Sequence, residues 1–167
     1  MQKPQYRVTK ATQVDIPAPE LLRTDELNGR KYLVSPVIGL REGVHNSEYI
    51  DYKELEMFPE SWNSRFLPID HPLDDNGLPV TAGSPKVMRE SVIGYFFNVV
   101  ARDDIRGISG ELWIDVEKAG QVPGGDEVLR KLQAGEHLEV STGYFTIVDN
   151  IPGEWHNPKS NQIEKFT

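Results

Sequence analysis

Apolar and polar positions along the chain fall into short runs broken by turn residues, a pattern of strands with few helices. Between Arg30 and Leu40, the run Lys31-Tyr32-Leu33-Val34-Ser35-Pro36-Val37-Ile38 is dense in β-branched and aromatic residues and predicts a strand, with Pro36 assigning it to an edge or a bulge. Glu48 to Asp51 predicts a short extended piece. Leu55, Phe58 and Trp62 recur at intervals of three and four, so Tyr52 to Trp62 reads as a short helix disturbed at Pro59. Arg65 to Pro72 reads as a strand ending on His71, because Pro72 holds the residue before it extended and has no N–H to continue a ladder. Leu73 to Pro85, with Asp74-Asp75-Asn76-Gly77, Pro79 and Gly83, predicts a long loop.

Two denser runs follow, Ser91 to Arg102 and Gly107 to Val116. The turn Asp103-Asp104-Ile105-Arg106-Gly107 between them predicts an antiparallel hairpin. Pro123-Gly124-Gly125 breaks the chain before Asp126, an N-cap for a helix with Val128, Leu129 and Leu132 on its apolar face and Gly135 as its C-cap. That helix leads into a strand, His137 to Val148, which carries Ser141. The pattern fades at both ends. Residues 1–29 hold Pro4, Pro17 and Pro19 and read as an N-terminal arm, with a short helix near Glu20 to Leu27 and a turn at Asn28-Gly29. Residues 151–167 read as a tail anchored only by Ile163 and Phe166. The expectation is a mainly β, α+β domain over residues 30–150.

Composition sharpens this picture by exclusion. The 167 residues suffice for one core without staples, and twelve Pro with fourteen Gly argue against an all-helical protein. A formal net charge of -8 without any basic run argues against nucleic acid as a partner. The chain has no Cys, which removes disulfides, thiol nucleophiles and cysteine metal sites. Its longest apolar run, around Val92 to Val100, is too short to cross a membrane and contains Asn98, so the expectation is a soluble intracellular protein.

The candidate chemistry centres on Glu139-Val140-Ser141-Thr142-Gly143-Tyr144-Phe145. A catalytic serine needs a base within hydrogen-bond reach and donors facing the developing oxyanion. Here Ser141 is the candidate nucleophile, and the backbone amides of Thr142 and Gly143 are candidate oxyanion donors. By local sequence alone, a buried strand serine bonded to a neighbouring carbonyl is the plainer reading. Of the four histidines, His71 is the best base, since it ends an apolar strand beside a Gly-rich and Pro-rich loop. His137 sits at a helix-to-strand junction, and His45 lies in a loop. Asp70, His71, Asp74 and Asp75 also offer metal-type ligands within six residues. However, Asp74-Asp75-Asn76-Gly77 lacks the alternating ligands and terminal Glu of a calcium loop and is common turn chemistry. No phosphate-binding Gly motif and no G-x-S-x-G elbow is present.

Read in order, several segments together resemble the head maturation (prohead) proteases of tailed bacteriophages. These are Tyr32-Leu33-Val34-Ser35-Pro36-Val37 and Gly43, then Trp62-Asn63 and Ile69-Asp70-His71-Pro72, then Ile93-Gly94 and Gly110-Glu111-Leu112-Trp113-Ile114-Asp115, and finally Gly135 and Leu138-Glu139-Val140-Ser141-Thr142-Gly143-Tyr144. The resemblance runs from about residue 30 to about residue 150. Its most specific pieces are the His-Pro ending and the Ser-Thr-Gly-Tyr strand, seventy residues apart. It implies a closed, mostly antiparallel β-barrel flanked by a few short helices, as in the herpesvirus assemblins. It implies a serine endopeptidase with Ser141 as nucleophile and His71 as base, needing no metal or organic cofactor. The substrates it implies are scaffold and major capsid proteins, cut inside the immature phage head in the host cytoplasm, and by analogy the enzyme pairs as a homodimer. Family members supply a second His or an acid after the serine strand. His156 is the candidate here, with Asp149, Glu154 and Glu164 beside it in sequence and Glu111, Asp115 and Glu139 on predicted strands. The family's downstream apolar strand has no counterpart in the pattern before Thr167, so a truncated or self-processed chain is expected. Two other functions remain open: a non-enzymatic capsid assembly protein on the same fold, and a metal-dependent hydrolase using Asp70 and His71.

Overall fold

The computed structural model describes residues 5–8, 12–13 and 21–167 apart from 137, and the side chains of 5–8, 12–13, 139 and 145 lie outside that description. In chain order the elements are β1 (Gln5–Val8), β2 (Thr12–Gln13), β3 (Arg23–Leu27), β4 (Arg30–Arg41), β5 (Gly43–His45) and β6 (Glu48–Ile50). They continue with α1 (Tyr52–Met57), β7 (Arg65–Pro68), α2 (Pro85–Glu90), β8 (Val92–Arg102), β9 (Gly107–Asp115), α3 (Val116–Ala119) and α4 (Gly125–Ala134). The last are β10 (Glu139–Val140), β11 (Gly143–Thr146), β12 (Gly153–Asn157) and β13 (Gln162–Phe166). The protein is mainly β. Its centre is a five-stranded antiparallel sheet in the order β3-β4-β9-β8-β7, accompanied among the described residues by four two-stranded ladders. Among the described residues no ladder joins the outer edges β3 and β7, so no closed barrel is found.

Period-two alternation gives the sheet two different faces. Leu33, Val37, Phe96, Ile108, Leu112 and Ile114 point to one side and form a core with Leu55 of α1, Ala119 of α3 and Leu132 of α4. Ile108 and Leu132 are almost completely buried, and burying one such side chain is worth about 2 kcal/mol. The opposite face carries Tyr32, Phe66, Tyr95, Phe97 and Trp113, whose neighbouring rings lie 5.7 to 5.8 Å apart. Gly94 is dictated by this pairing, because a Cβ there would stand 2.1 Å from the Trp113 carbonyl oxygen.

The predicted strands at Arg30–Leu40, Ser91–Arg102 and Gly107–Val116 all form, as does the hairpin between the last two. The helix bounded by Gly135 forms too, with that glycine left-handed at φ 66, although Gly124 rather than Asp126 occupies the N-cap position. Several expectations are corrected. Of the helix expected at Glu20 to Leu27, Glu20 lies outside the described residues and Arg23–Leu27 is a strand; this β3 pairs rung for rung with β4 across Asn28-Gly29, where both residues have positive φ as a tight hairpin turn requires. The first strand of the sheet therefore lies inside the expected arm. Pro36 sits within an interior strand, but β3 ends opposite Val34, and the register shift falls at Ile38/Leu40 instead. The expected loop stands up to Ser84; beyond it lies an unpredicted helix, where Ser84 caps the Val87 amide and Pro85, the last residue of the expected loop, opens α2. The tail is a β-hairpin: Trp155 of β12 packs 6.1 Å from Tyr49, on which Phe166 of β13 stacks at 5.1 Å.

Candidate active site

The strand expected from His137 to Val148 is two strands, β10 and β11, and Ser141 and Thr142 occupy the break between them. Both are half-buried. The flanking Leu138, Val140 and Tyr144 pack against the core, which fixes the height of the segment over the sheet. Its lateral position is set by the Thr142 hydroxyl, which donates a 2.8 Å hydrogen bond to the Gly39 carbonyl, 103 residues away in sequence. Gly39 lies at the register shift of β4, where the bulge leaves this carbonyl to a side-chain donor. Gly143, whose amide is a candidate oxyanion donor, opens β11 opposite Val8. His137 lies outside the described residues.

His71 is exposed and does not end a strand. β7 stops at Pro68, the Ile69 amide makes one further bond to the Ser91 carbonyl, and Asp70 then turns the chain away with φ 59. Across the sheet, Gly39 belongs to the rungs of Ser109 and Ile108, whereas Pro68 pairs with Val92 at the other end of β8. The Thr142 anchor and the strand that His71 follows thus sit at opposite ends of the central hairpin, roughly 23 Å apart along the strands at about 3.3 Å per residue.

His156 lies in β12, in the hairpin that the tail forms. It is exposed, opposite Ile163, and its Nε2 is 3.0 Å from the Asn161 side-chain oxygen at the hairpin turn. His45 Nε2 is 2.9 Å from the Arg41 carbonyl oxygen, within β5. The described geometry therefore links none of these histidines to Ser141.

The candidate carboxylates have other partners. Glu111 is on the aromatic face, away from the core, where Arg23 binds it two-pronged at 2.5 and 2.9 Å while Asn98 and Trp113 also donate to it. The Arg23 guanidinium holds the Glu111 carboxyl down to about 2 against the upward push of burial. Asp115 is buried; it caps the Lys118 amide at 2.9 Å and meets Arg30 at 2.5 Å. Glu164 accepts from the Asn157 side chain at 2.7 Å, Glu154 pairs with Lys165 at 3.3 Å, and Asp149 is exposed. Asp74 is committed to turn chemistry: it accepts from the Asn76 and Leu78 amides, and these bonds lower its pKa. Among the described residues no three His, Asp or Glu side chains gather as metal ligands would. A cleft of about 620 Å³ is lined by Ile69, Asp70, Arg89, Ser91, Gln121 and Pro123; Asp70, a candidate of the metal-hydrolase reading, is on its wall, but Ser141, His71 and His156 are not.

What the pattern of residues did not disclose is the partner of the serine segment. β10 pairs with β2 and β11 with β1, so the N-terminal arm lies antiparallel along the strands on both sides of Ser141. The alternation of Tyr6 and Val8 with polar neighbours is the only trace of this in the sequence. No family model, curated protein or solved structure matches the chain. No helix among the described residues is long and apolar enough to cross a membrane.

Proposed function

We propose that this chain is a serine endopeptidase of the head maturation type, with Ser141 as nucleophile and His71 as base. The observation that carries the reading is the placement of Ser141 in the break between β10 and β11, beside a threonine pinned to Gly39, where an extended peptide can approach it. Ser141 Oγ attacks the carbonyl carbon of a scaffold or capsid peptide, and His71 takes the hydroxyl proton. The C–N bond then breaks, His71 returns the proton to the leaving amine, and water releases the acyl group. The amides of Thr142 and Gly143 face the oxyanion. Because His71 is exposed at the far end of the central hairpin, this reading makes the single chain a latent form. Pairing of two chains, or closure of the sheet into the family's barrel, brings base and nucleophile together, with His156 as the orienting group.

A second reading, a non-enzymatic capsid assembly protein, is favoured by that same separation and by the engagement of His156 with its own hairpin turn. One experiment distinguishes the two. The protein is co-expressed with its scaffold and capsid partners, and their processing is compared for the wild type, Ser141→Ala and His71→Ala. Loss of processing in both variants, together with fluorophosphonate labelling of the wild type alone, is the expected result. Undiminished processing by Ser141→Ala overturns the peptidase. Partners that co-assemble uncut, with no labelling of Ser141, establish the assembly protein.

A further inference from the structure

We infer that β10 and β11 form a recognition slot for an extended, basic peptide, and that in the free chain the slot is filled by the protein's own N-terminal arm. The register carries this inference. Gln5, Tyr6, Arg7 and Val8 pair with Thr146, Phe145, Tyr144 and Gly143, while Thr12 and Gln13 pair with Val140 and Glu139. Val8 and Thr12 thus bracket Ser141 and Thr142 from across the ladder. An extended segment added antiparallel to a strand edge is how proteins bind peptides by β-augmentation, with main-chain bonds supplying affinity and alternate side chains supplying selectivity.

Three observations distinguish this arm from a permanent strand of the fold. Among the described residues its two ladders are short, four pairs and two, and a two-stranded ribbon of that size is marginally stable in water. Among the described residues neither ladder belongs to the five-stranded sheet, so the described arm strands can leave without unpairing any sheet strand. The third is charge complementarity. The first thirteen residues carry Lys3, Arg7 and Lys10 and no acidic residue, in a chain whose formal net charge is -8. The body left behind is more acidic still, so it attracts a basic strand before any contact forms. The inference concerns binding and stands whether or not Ser141 is a nucleophile. If it is, a substrate displaces the arm to reach it.

The test uses the full chain. Arg7→Pro/Val8→Pro removes the one of these two adjacent amides that faces β11 and places two ring side chains in the pairing stretch, and it leaves every residue of β10 and β11 intact. The probe is a fluorescein-labelled peptide with the sequence of residues 3–14, read by anisotropy against the wild type and the variant. The expected result is saturable binding to the variant at least tenfold tighter than to the wild type, with little binding of a scrambled peptide of the same composition. Lys3→Glu/Arg7→Glu/Lys10→Glu, which keeps all backbone donors, should open the slot in the same direction by a smaller factor. Hydrogen exchange on β8 and β9 checks that the sheet is intact. If proline disturbs it, the comparison rests on the charge-reversed chain. Equal probe binding by the variants and the wild type overturns the inference, as does equal binding of the scrambled peptide. A wild-type dimer held together by exchanged arms overturns the assignment of the slot to the chain's own arm.

Discussion

The central sheet and the serine segment are both built of antiparallel strands, but they are held in place by different means. β4, β9 and β8 share long ladders, and one face is sealed by Ile108, Leu112, Ile114 and Phe96 against three helices. Among the described residues, the serine segment is tied by two short ladders with the arm, by half-buried apolar side chains and by contacts that include the Thr142 hydrogen bond to Gly39. The sheet is specified many times over, so no single rung decides it. The serine segment is specified a few times, which leaves it able to exchange its partner. The proposed binding function falls on the lightly tied strands, beside a sheet with many more ties.

Four substitutions probe that contrast. The largest loss is expected for Ile108→Ala. This side chain is 0% exposed beneath the ladder, and the cavity should cost about 3 to 4 kcal/mol in urea denaturation. A loss below about 1 kcal/mol would mean that the sheet is not the stable half of the molecule. Next comes Glu111→Gln, which breaks the Arg23 pair on the opposite face. The folded pKa of Glu111, about 2, lies below the ordinary 4.5. Its contribution is therefore fully present above about pH 4.5 and lost as the pH falls from there toward 2. Allowing for the solvent-exposed Arg23, the variant should be less stable by about 1 to 2 kcal/mol at about pH 7, and the difference should close near pH 2. A constant gap across that range would contradict the pairing.

Gly135→Ala places a side chain in a left-handed cap at φ 66 and should cost about 1 kcal/mol, read as a lower thermal midpoint. The smallest stability effect belongs to Thr142→Val, about 1 kcal/mol or less for the lost bond to Gly39. Its larger consequence is local: amide exchange should accelerate at Val140 and Gly143 while β8 and β9 remain protected. Uniform acceleration over both regions would erase the distinction between them.

The fold was legible where burial repeats with a fixed period. The runs around Val34, Phe96 and Leu112 alternate against one core and so declare themselves as strands, and Gly135 marks the end of α4 by its conformation. The arm and tail were not legible in this way. β3 takes its conformation from β4 through the Asn28-Gly29 turn, and β12 and β13 take theirs from one another and from Tyr49. Pairing of this kind is a property of two segments and leaves little mark on either alone. The candidate site divides similarly. Ser141 is conspicuous as a hydroxyl amid apolar neighbours, but that Thr142 bonds Gly39 and that the arm flanks the serine follow from contacts more than a hundred residues apart in sequence.

Residue pattern alone was enough to establish a mainly β chain with one principal core, the hairpin of β8 and β9 and the helix before the serine segment, while the choice of Ser141 and His71 rested on the family resemblance. Three-dimensional pairing was needed to break the serine segment into two strands, to put His71 after the far end of the central hairpin, to bind His156 into a terminal hairpin, and to lay the N-terminal arm along Ser141. The two sets differ in range. Periodicity and turn chemistry act over a few residues and can be read locally, whereas the distance between two side chains depends on which edges pair and where a bulge shifts the register.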